Sequence, residues 1–220
     1  MASSLMDPAV ASVLERLHAA ARSDFKHFAR LLPRIVAGRL RGQTLMRTLS
    51  PKDMASVYIP VSPAAGRLLY AIARTSGAQH VVEFGASFGI STIYLAAAAR
   101  DVGGRVTTTE IEPNKCRTTE ANLRDAGLAE QVRLLEGDAL YTLRAIDGPV
   151  DLLFLDGWKD IYLDVLELVR PKLRPGAIVI GDNTNFADAR LYVEHVRAAE
   201  NGYVSTALFG GEMELSCFTA

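Results

Sequence analysis

The sequence predicts an α/β fold in which a mostly parallel sheet is covered by helices on both faces. Three observations carry that expectation. From residue 62 onward, strand-like and helix-like segments alternate. The strand segments are short apolar or Thr/Val-rich runs. The first of them passes through a glycine-rich turn, VVEFGASFGIS at 81–91, into a helix.

The elements follow in order. Residues 8–40 read as helix. Val10, Val13, Leu14 and Leu17 have helical apolar spacing, and Asp7-Pro8 supplies an N-cap and a first-turn proline. A second helical stretch runs over 23–32, where Pro33 is expected to kink or end it. Arg22, Lys26, Arg30 and Arg34 recur every four residues and form a basic stripe. Residues 38–56 are rich in turn formers and read as connector. Ser62-Pro63 starts a helix through residue 75, ended by Gly77. Strand 81–84 then leads through the glycine loop to helix 90–100, strand 105–110 to helix 113–126, and strand 132–135 to a short helix 139–145. Strand 150–155 leads to helix 162–169, stopped by Pro171, and strand 177–180 to helix 186–199. Strands 203–209 and 213–218 meet across Gly210-Gly211 and can pair as a hairpin. The count is seven strands, mostly parallel, with an antiparallel C-terminal pair.

Length and charge set the bounds. At ~150 residues per domain, 220 residues make one core with an appendage. The expected division is a helical cap over 1–56 and a core over 57–220. The net charge of −1 excludes a uniformly basic nucleic-acid binder. It also conceals a split, +5 over residues 1–56 and −6 over 57–220. Two cysteines exclude a disulfide framework and a cysteine-rich zinc module. No apolar run approaches the ~20 residues that span a bilayer, and MASSLMDP lacks a basic region followed by an apolar stretch. The expectation is a cytoplasmic enzyme without nucleic-acid or membrane partners.

Three chemistries could use the loop at 85–89. A serine hydrolase would read Gly85-Ala86-Ser87-Phe88-Gly89 as a G-x-S-x-G elbow, with Asp156 or Asp182 and His195 completing the order Ser, Asp, His. That elbow follows a mid-sheet strand and needs an earlier oxyanion loop. Here the strand at 81 is the first, and no such loop precedes it. A dinucleotide oxidoreductase would expect G-x-G-x-x-G, where this loop is G-x-x-x-G, although Glu110 ends the next strand at a suitable distance for a ribose. In an S-adenosylmethionine site the loop would face the methionine part, Glu110 the ribose hydroxyls, and Gly137-Asp138-Ala139 the adenine. Each feature alone is ordinarily a turn or a solvated side chain. Three at the carboxyl ends of successive strands point to a ligand, because open α/β sheets bind ligands there.

A second cluster lies downstream. Strand 150–155 ends in Asp156, with Trp158 and Lys159 just beyond, and strand 177–180 ends in Asp182 and Asn183. If these strands are neighbours, two carboxylates and an amide converge. Such hard oxygen donors, without His or Cys, suit Mg²⁺, Mn²⁺ or Ca²⁺ rather than zinc. Strand-end Asp and Asn also serve as helix caps, which is the ordinary reading of either motif alone. A cation beside a lysine favours its neutral amine, which makes Lys159 the candidate general base. Trp158 could wall a planar substrate or simply pack.

Here FLDGWKDIYLD followed by IGDNTN resembles the cation-dependent class I O-methyltransferases, the catechol and caffeoyl-CoA O-methyltransferase group, in a bacterial, catechol-like form. IPVSPAAGRLLYAI, VVEFGASFGIS and TTTEIEP extend the likeness over roughly 57–220. The resemblance implies a Rossmann-like methyltransferase core with an N-terminal helical cap. It implies that Val61, Glu83, Gly85, Ser91, Glu110 and Ala139 contact S-adenosylmethionine, with Asp156 touching it as well as the metal. Asp138 is a looser match, and Ser87 joins this set as the middle of the loop. Asp156, Asp182 and Asn183 would hold Mg²⁺ or a similar cation, with Lys159 as base. Trp158, Lys159, Asn183 and Tyr58 are the expected substrate contacts. A homodimer is compatible with the resemblance.

The implied reaction is methyl transfer to one hydroxyl of a vicinal aromatic diol. An oxidoreductase, a hydrolase using Ser87 and a non-catalytic S-adenosylmethionine-binding module are the alternatives. One departure is the tight turn in LFGGEMELSCF, where animal catechol enzymes carry a longer hairpin with a substrate-binding glutamate. Neither Glu212 nor Glu214 is a clear counterpart. The basic stripe at 22–34 is ordinarily a solvated face or a contact with the acidic core. Its other reading is a contact with a CoA- or carrier-bound substrate.

Overall fold

The computed structural model describes residues 3–22, 25–58 and 60–220, with the side chains of residues 25–29 outside that description. Helix α1 (Pro8–Ala21) starts where the Asp7 carboxylate accepts the Ala9 N–H at 3.0 Å. Helix α2 (Phe25–Leu40) and helix α3 (Leu45–Thr48) follow, then a 3₁₀ turn at Pro51–Met54. Of the two effects expected of Pro33, a kink or an end, the end does not occur: Pro33 lies inside α2. A proline removes one helical hydrogen bond. Arg30, Leu32, Pro33, Arg34 and Val36 all face solvent, so water can serve the freed carbonyl.

The alternating region begins with α4 (Pro63–Thr75), capped by Ser62, whose hydroxyl accepts the Ala65 N–H at 3.1 Å. It continues with β1 (His80–Phe84), α5 (Ile90–Val102), β2 (Arg105–Glu110), α6 (Pro113–Asp125), β3 (Val132–Glu136) and α7 (Ala139–Thr142). Then come β4 (Val150–Leu155), α8 (Tyr162–Val169), β5 (Leu173–Asp182), α9 (Arg190–Arg197), β6 (Tyr203–Leu208) and β7 (Met213–Phe218). Among the described residues these strands form one sheet of seven in the order β3-β2-β1-β4-β5-β7-β6. The first five run parallel to one another, and β7 is antiparallel to both β5 and β6. This is a Rossmann-like architecture with an antiparallel C-terminal pair. β5 begins four residues before the expected strand, because a register shift between Val150 and Leu152 lets Leu173 pair with Val150.

Side-chain alternation splits the strand residues between two cores. Val81, Val106, Leu152 and Phe154 pack beneath α1, α4 and α5. Val82, Leu153, Leu155 and Val179 pack beneath α8 and α9. α1 thus belongs to the buried layer over the sheet. A third, smaller cluster joins Leu49, Met54 and Val57 to Leu31, Ile35, Leu45 and Trp158 above the strand tips. The segment read as connector therefore holds a short helix and a turn that roof those tips. No helix among the described residues is long and apolar enough to cross a membrane.

Candidate active site

The carboxyl ends of β1 to β5 open into one cavity of about 440 Å³. Its floor is set by close backbone contact between two loops. Gly85 has φ +99°, and a Cβ there would stand 2.6 Å from the Cα and N of Gly157. Only glycine meets both demands. The Asp156 N–H donates to the Phe84 carbonyl at 2.9 Å and carries the β1–β4 pairing up to that contact. Ser87, also at positive φ, donates its N–H to Glu110 Oε2 at 2.8 Å. Glu110 Oε1 accepts the N–H groups of Ile111 and Glu112 at 2.9 Å each. Oε1 thus has both lone pairs engaged, and Oε2 keeps one for a further donor.

Of the residues expected to bind a cofactor, Val61, Gly85, Ser87, Ser91, Glu110, Asp138, Ala139 and Asp156 line this cavity. Asp138 also caps α7, accepting the Leu140 N–H at 2.9 Å. Glu83 does not reach the cavity surface. It is fully buried beneath the loop, and its Oε2 accepts the hydroxyls of Thr92 at 2.5 Å and Thr108 at 2.6 Å. Oε1 has no partner, and burial pushes the carboxyl up to about 7 against the pull of these hydroxyls and of Ser91.

Tyr58, Trp158, Lys159 and Asn183 line the same cavity. Lys159 Nζ lies 3.1 Å from Asp156 Oδ1, and the two side chains are 6% and 8% exposed. Asp182 follows on the neighbouring strand tip. Burial first, and then the charge of Asp156, push its carboxyl up to about 7. Asp156 is likewise raised by burial, opposed by Lys159 and Lys115. Lys159 offsets part of the charge of these two repelling buried carboxylates, and a divalent cation would offset the rest. Asn183 takes the left-handed conformation at φ +52°, which asparagine tolerates, and borders the cavity beside them. Among the described residues no three His, Cys, Asp or Glu side chains converge as a metal site. Asp156 and Asn183 line the cavity, while Asp182 is buried on the adjoining tip and does not; two carboxylates and an amide are donors of the kind a hard divalent cation takes.

Some lining residues carry no sequence signal. Lys115, on the first turn of α6, is buried with its Nζ 5.2 Å from the centroid of Phe88, which Tyr58 stacks against at 3.9 Å. Leu45, Met46, Leu49 and Met54 form the far wall. They come from the segment read as connector, and only its scattered apolar residues hinted at a packed role.

Other expectations are resolved by position. β1 is first in the chain but central in the sheet, so chain order does not exclude a nucleophile elbow. His195 does: it sits on α9 with Nε2 3.1 Å from Glu167, and it does not line the cavity. Glu214 is fully buried and bound by Arg197 through two hydrogen bonds of 2.8 and 2.6 Å. Glu212 is exposed at the tight turn. In the basic stripe, Arg34 pairs with Asp53 at 2.7 Å and Arg22 and Arg30 are exposed. The side chain of Lys26 lies outside the described residues.

Comparison with known proteins places the chain in a family. A methyltransferase-domain family model matches residues 82–184. A catechol O-methyltransferase of Mycobacterium tuberculosis is 36% identical over 141 residues, 63% of this chain and 64% of that one. A relative from Mycobacterium ulcerans described as an O-methyltransferase is 32% identical over 155 residues, 69% of this chain and 68% of that one. The chain belongs to the O-methyltransferase family. It spans 64–65% of the length of the first curated relatives it matches. Solved members of the family share its fold. A Bacillus cereus O-methyltransferase in complex with SAH matches at TM-score 0.66 and 28% identity, over 72% of this chain and 82% of that one. One from Streptomyces achromogenes, involved in tomaymycin synthesis and in complex with SAM, matches at TM-score 0.64 and 27% identity, over 74% and 82%. Neither an oxidoreductase nor a hydrolase is favoured by these matches.

Proposed function

We propose that the protein transfers the methyl group of S-adenosylmethionine to one hydroxyl of a vicinal aromatic diol, with a divalent cation in the site. The observation that carries this reading is the buried Lys159–Asp156 pair on the cavity that Glu110 also lines. The names of the O-methyltransferase relatives support the donor and the reaction class.

S-adenosylmethionine, when bound, supplies an electrophilic sulfonium methyl. Glu110 accepts a hydrogen bond from its ribose at Oε2, while Gly85 and Ser91 border its amino-acid part. Ala139 and Asp138 border the base. Asp156, Asp182 and Asn183 would hold the cation, which lowers the pKa of a phenol bound beside it. Lys159 accepts the phenol proton at Nζ. The phenolate so formed would be the nucleophile for the donor's methyl group, the donor departing as the neutral thioether. Trp158 flanks the aromatic ring, and the roof of Leu45 to Met54 keeps water from the reacting atoms. Holding those atoms at attack distance contributes much of the rate.

The test is methylation of a diol panel with S-adenosylmethionine and Mg²⁺, with products identified by NMR. Equal activity in excess chelator would remove the cation from the reading. No methylated product from any diol would remove the diol.

A further inference from the structure

We infer that the diol this protein methylates carries an uncharged, apolar substituent, seated against the wall formed by Leu45, Met46, Leu49 and Met54; this rests on the diol-methylating reading above. The charged groups of the cavity lie at its strand-tip end. Glu110, Glu112 and Lys115 come from β2 and α6, Asp138 from the tip of β3, and Asp156 and Lys159 from the tip of β4. The roof contributes none. Its lining side chains are Leu45, Met46, Leu49, Pro51 and Met54.

The roof's own charges are turned elsewhere. Asp53 accepts from Arg34 at 2.7 Å and from the Ser50 N–H and hydroxyl at 2.7 Å each, and Arg47 and Lys52 are exposed. An ammonium reaching the roof would lose its water without gaining a carboxylate, and a carboxylate would gain no cation. Both are costly. An alkyl or aryl group loses nothing there and gains burial, about fourfold in affinity per buried methylene. Two of the wall residues are methionines, whose unbranched thioethers adapt to irregular apolar shapes. The basic residues Arg39, Arg41, Arg47 and Lys52 stand outside the cavity, on the exposed surface of the same segment. A phosphate-bearing thioester would have to lie there rather than within.

The experiment compares kcat/KM for 4-butylcatechol, unsubstituted catechol, 3,4-dihydroxyphenethylamine, 3,4-dihydroxybenzoate and caffeoyl-CoA, using the full chain with S-adenosylmethionine and Mg²⁺. The butyl compound is expected to exceed catechol at least tenfold, chiefly through KM, and the three charged compounds to fall below it. Met46→Glu should shrink the butyl preference below threefold, whereas Met46→Ala, which keeps the wall apolar, should retain most of it. Trp158 is the sole tryptophan. Its emission should therefore respond to 4-butylcatechol at lower concentration than to catechol even without metal or donor. Methylation of all diols regardless of substituent overturns this inference alone, as does faster turnover of a charged compound. Failure to methylate any diol removes it together with the reading it rests on.

Discussion

Lys159 Nζ and Asp156 Oδ1 stand 3.1 Å apart at the mouth of β4, each side chain less than one-tenth exposed. The ring of Tyr162 lies 5.4 Å from the same amine, so the lysine is held between a carboxylate and an aromatic face. Replacing it with methionine keeps the bulk and removes the base. Lys159→Met should lower kcat by about 10²- to 10⁴-fold, the usual span for a general base. Calorimetry should find S-adenosylmethionine binding within about threefold of the parent. Lys159→Arg should not restore turnover, because a guanidinium does not give up its proton at working pH.

The buried carboxylates at the tips of β4 and β5 set the second expectation. Exhaustive chelation should reduce methylation to background, and Mg²⁺ or Mn²⁺ should restore it. Asp182→Ala should show no such recovery at any metal concentration that leaves the protein soluble. Steady-state assays across a metal titration read both results. Undiminished turnover after chelation would show that Asp156 and Asp182 serve only the architecture.

Glu83 gives a pH signature of its own. Its carboxyl holds a proton up to about 7 in the folded chain, where the ordinary value is 4.5. Between those values the folded state binds more protons than the unfolded one, so this group's contribution to stability falls as pH rises. Glu83→Gln cannot titrate. Measured by urea unfolding, its stability relative to the parent should improve by about 2–3 kcal/mol from pH 5 to pH 8. The fixed cost of repacking an amide against Thr92 and Thr108 cancels in that difference. A constant gap would mean that Glu83 is already ionised at pH 5.

Arg197 is half exposed, yet it is bonded through two nitrogens to Glu214, which is fully buried between β5 and β6. Removing the arginine strands the carboxylate. Arg197→Met should destabilise the fold by about 2–3 kcal/mol, somewhat below the range for a wholly buried pair. Glu214→Gln in that background should recover part of the loss. Neither residue borders the cavity, so turnover per folded molecule should hold. A fall in kcat with intact folding would return Glu214 to the substrate site.

The strands could be read from the sequence because each is a run whose alternate side chains enter different cores, as with Val81 and Val82 or Phe154 and Leu155. Asp156, Asp182 and Asn183 could be read for the same reason. A strand's tip is fixed once the strand is, and parallel neighbours bring their tips together. The roof was not legible. Leu49, Met54 and Val57 share a cluster with Trp158, more than a hundred residues away, and no local period encodes that packing. Lys115 was hidden for a related reason: a lysine on the first turn of an exposed-looking helix gives no sign that it folds under Phe88. Pro33 left a kink or an end open because proline's effect on a helix depends on whether water can reach the freed carbonyl, and burial is a tertiary fact.

The contact of Gly85 with Gly157 leaves no slack between the loop that would cradle the methyl donor and the loop that carries Asp156 and Lys159. A shift of either loop toward the other would meet backbone at once. Whatever one reactant does to its own loop is then felt as a change in the other's affinity, and thermodynamic reciprocity makes the two effects equal. Donor and acceptor would not be independent tenants of one cavity. A titration of either in the presence of the other would measure how stiffly two glycines join them.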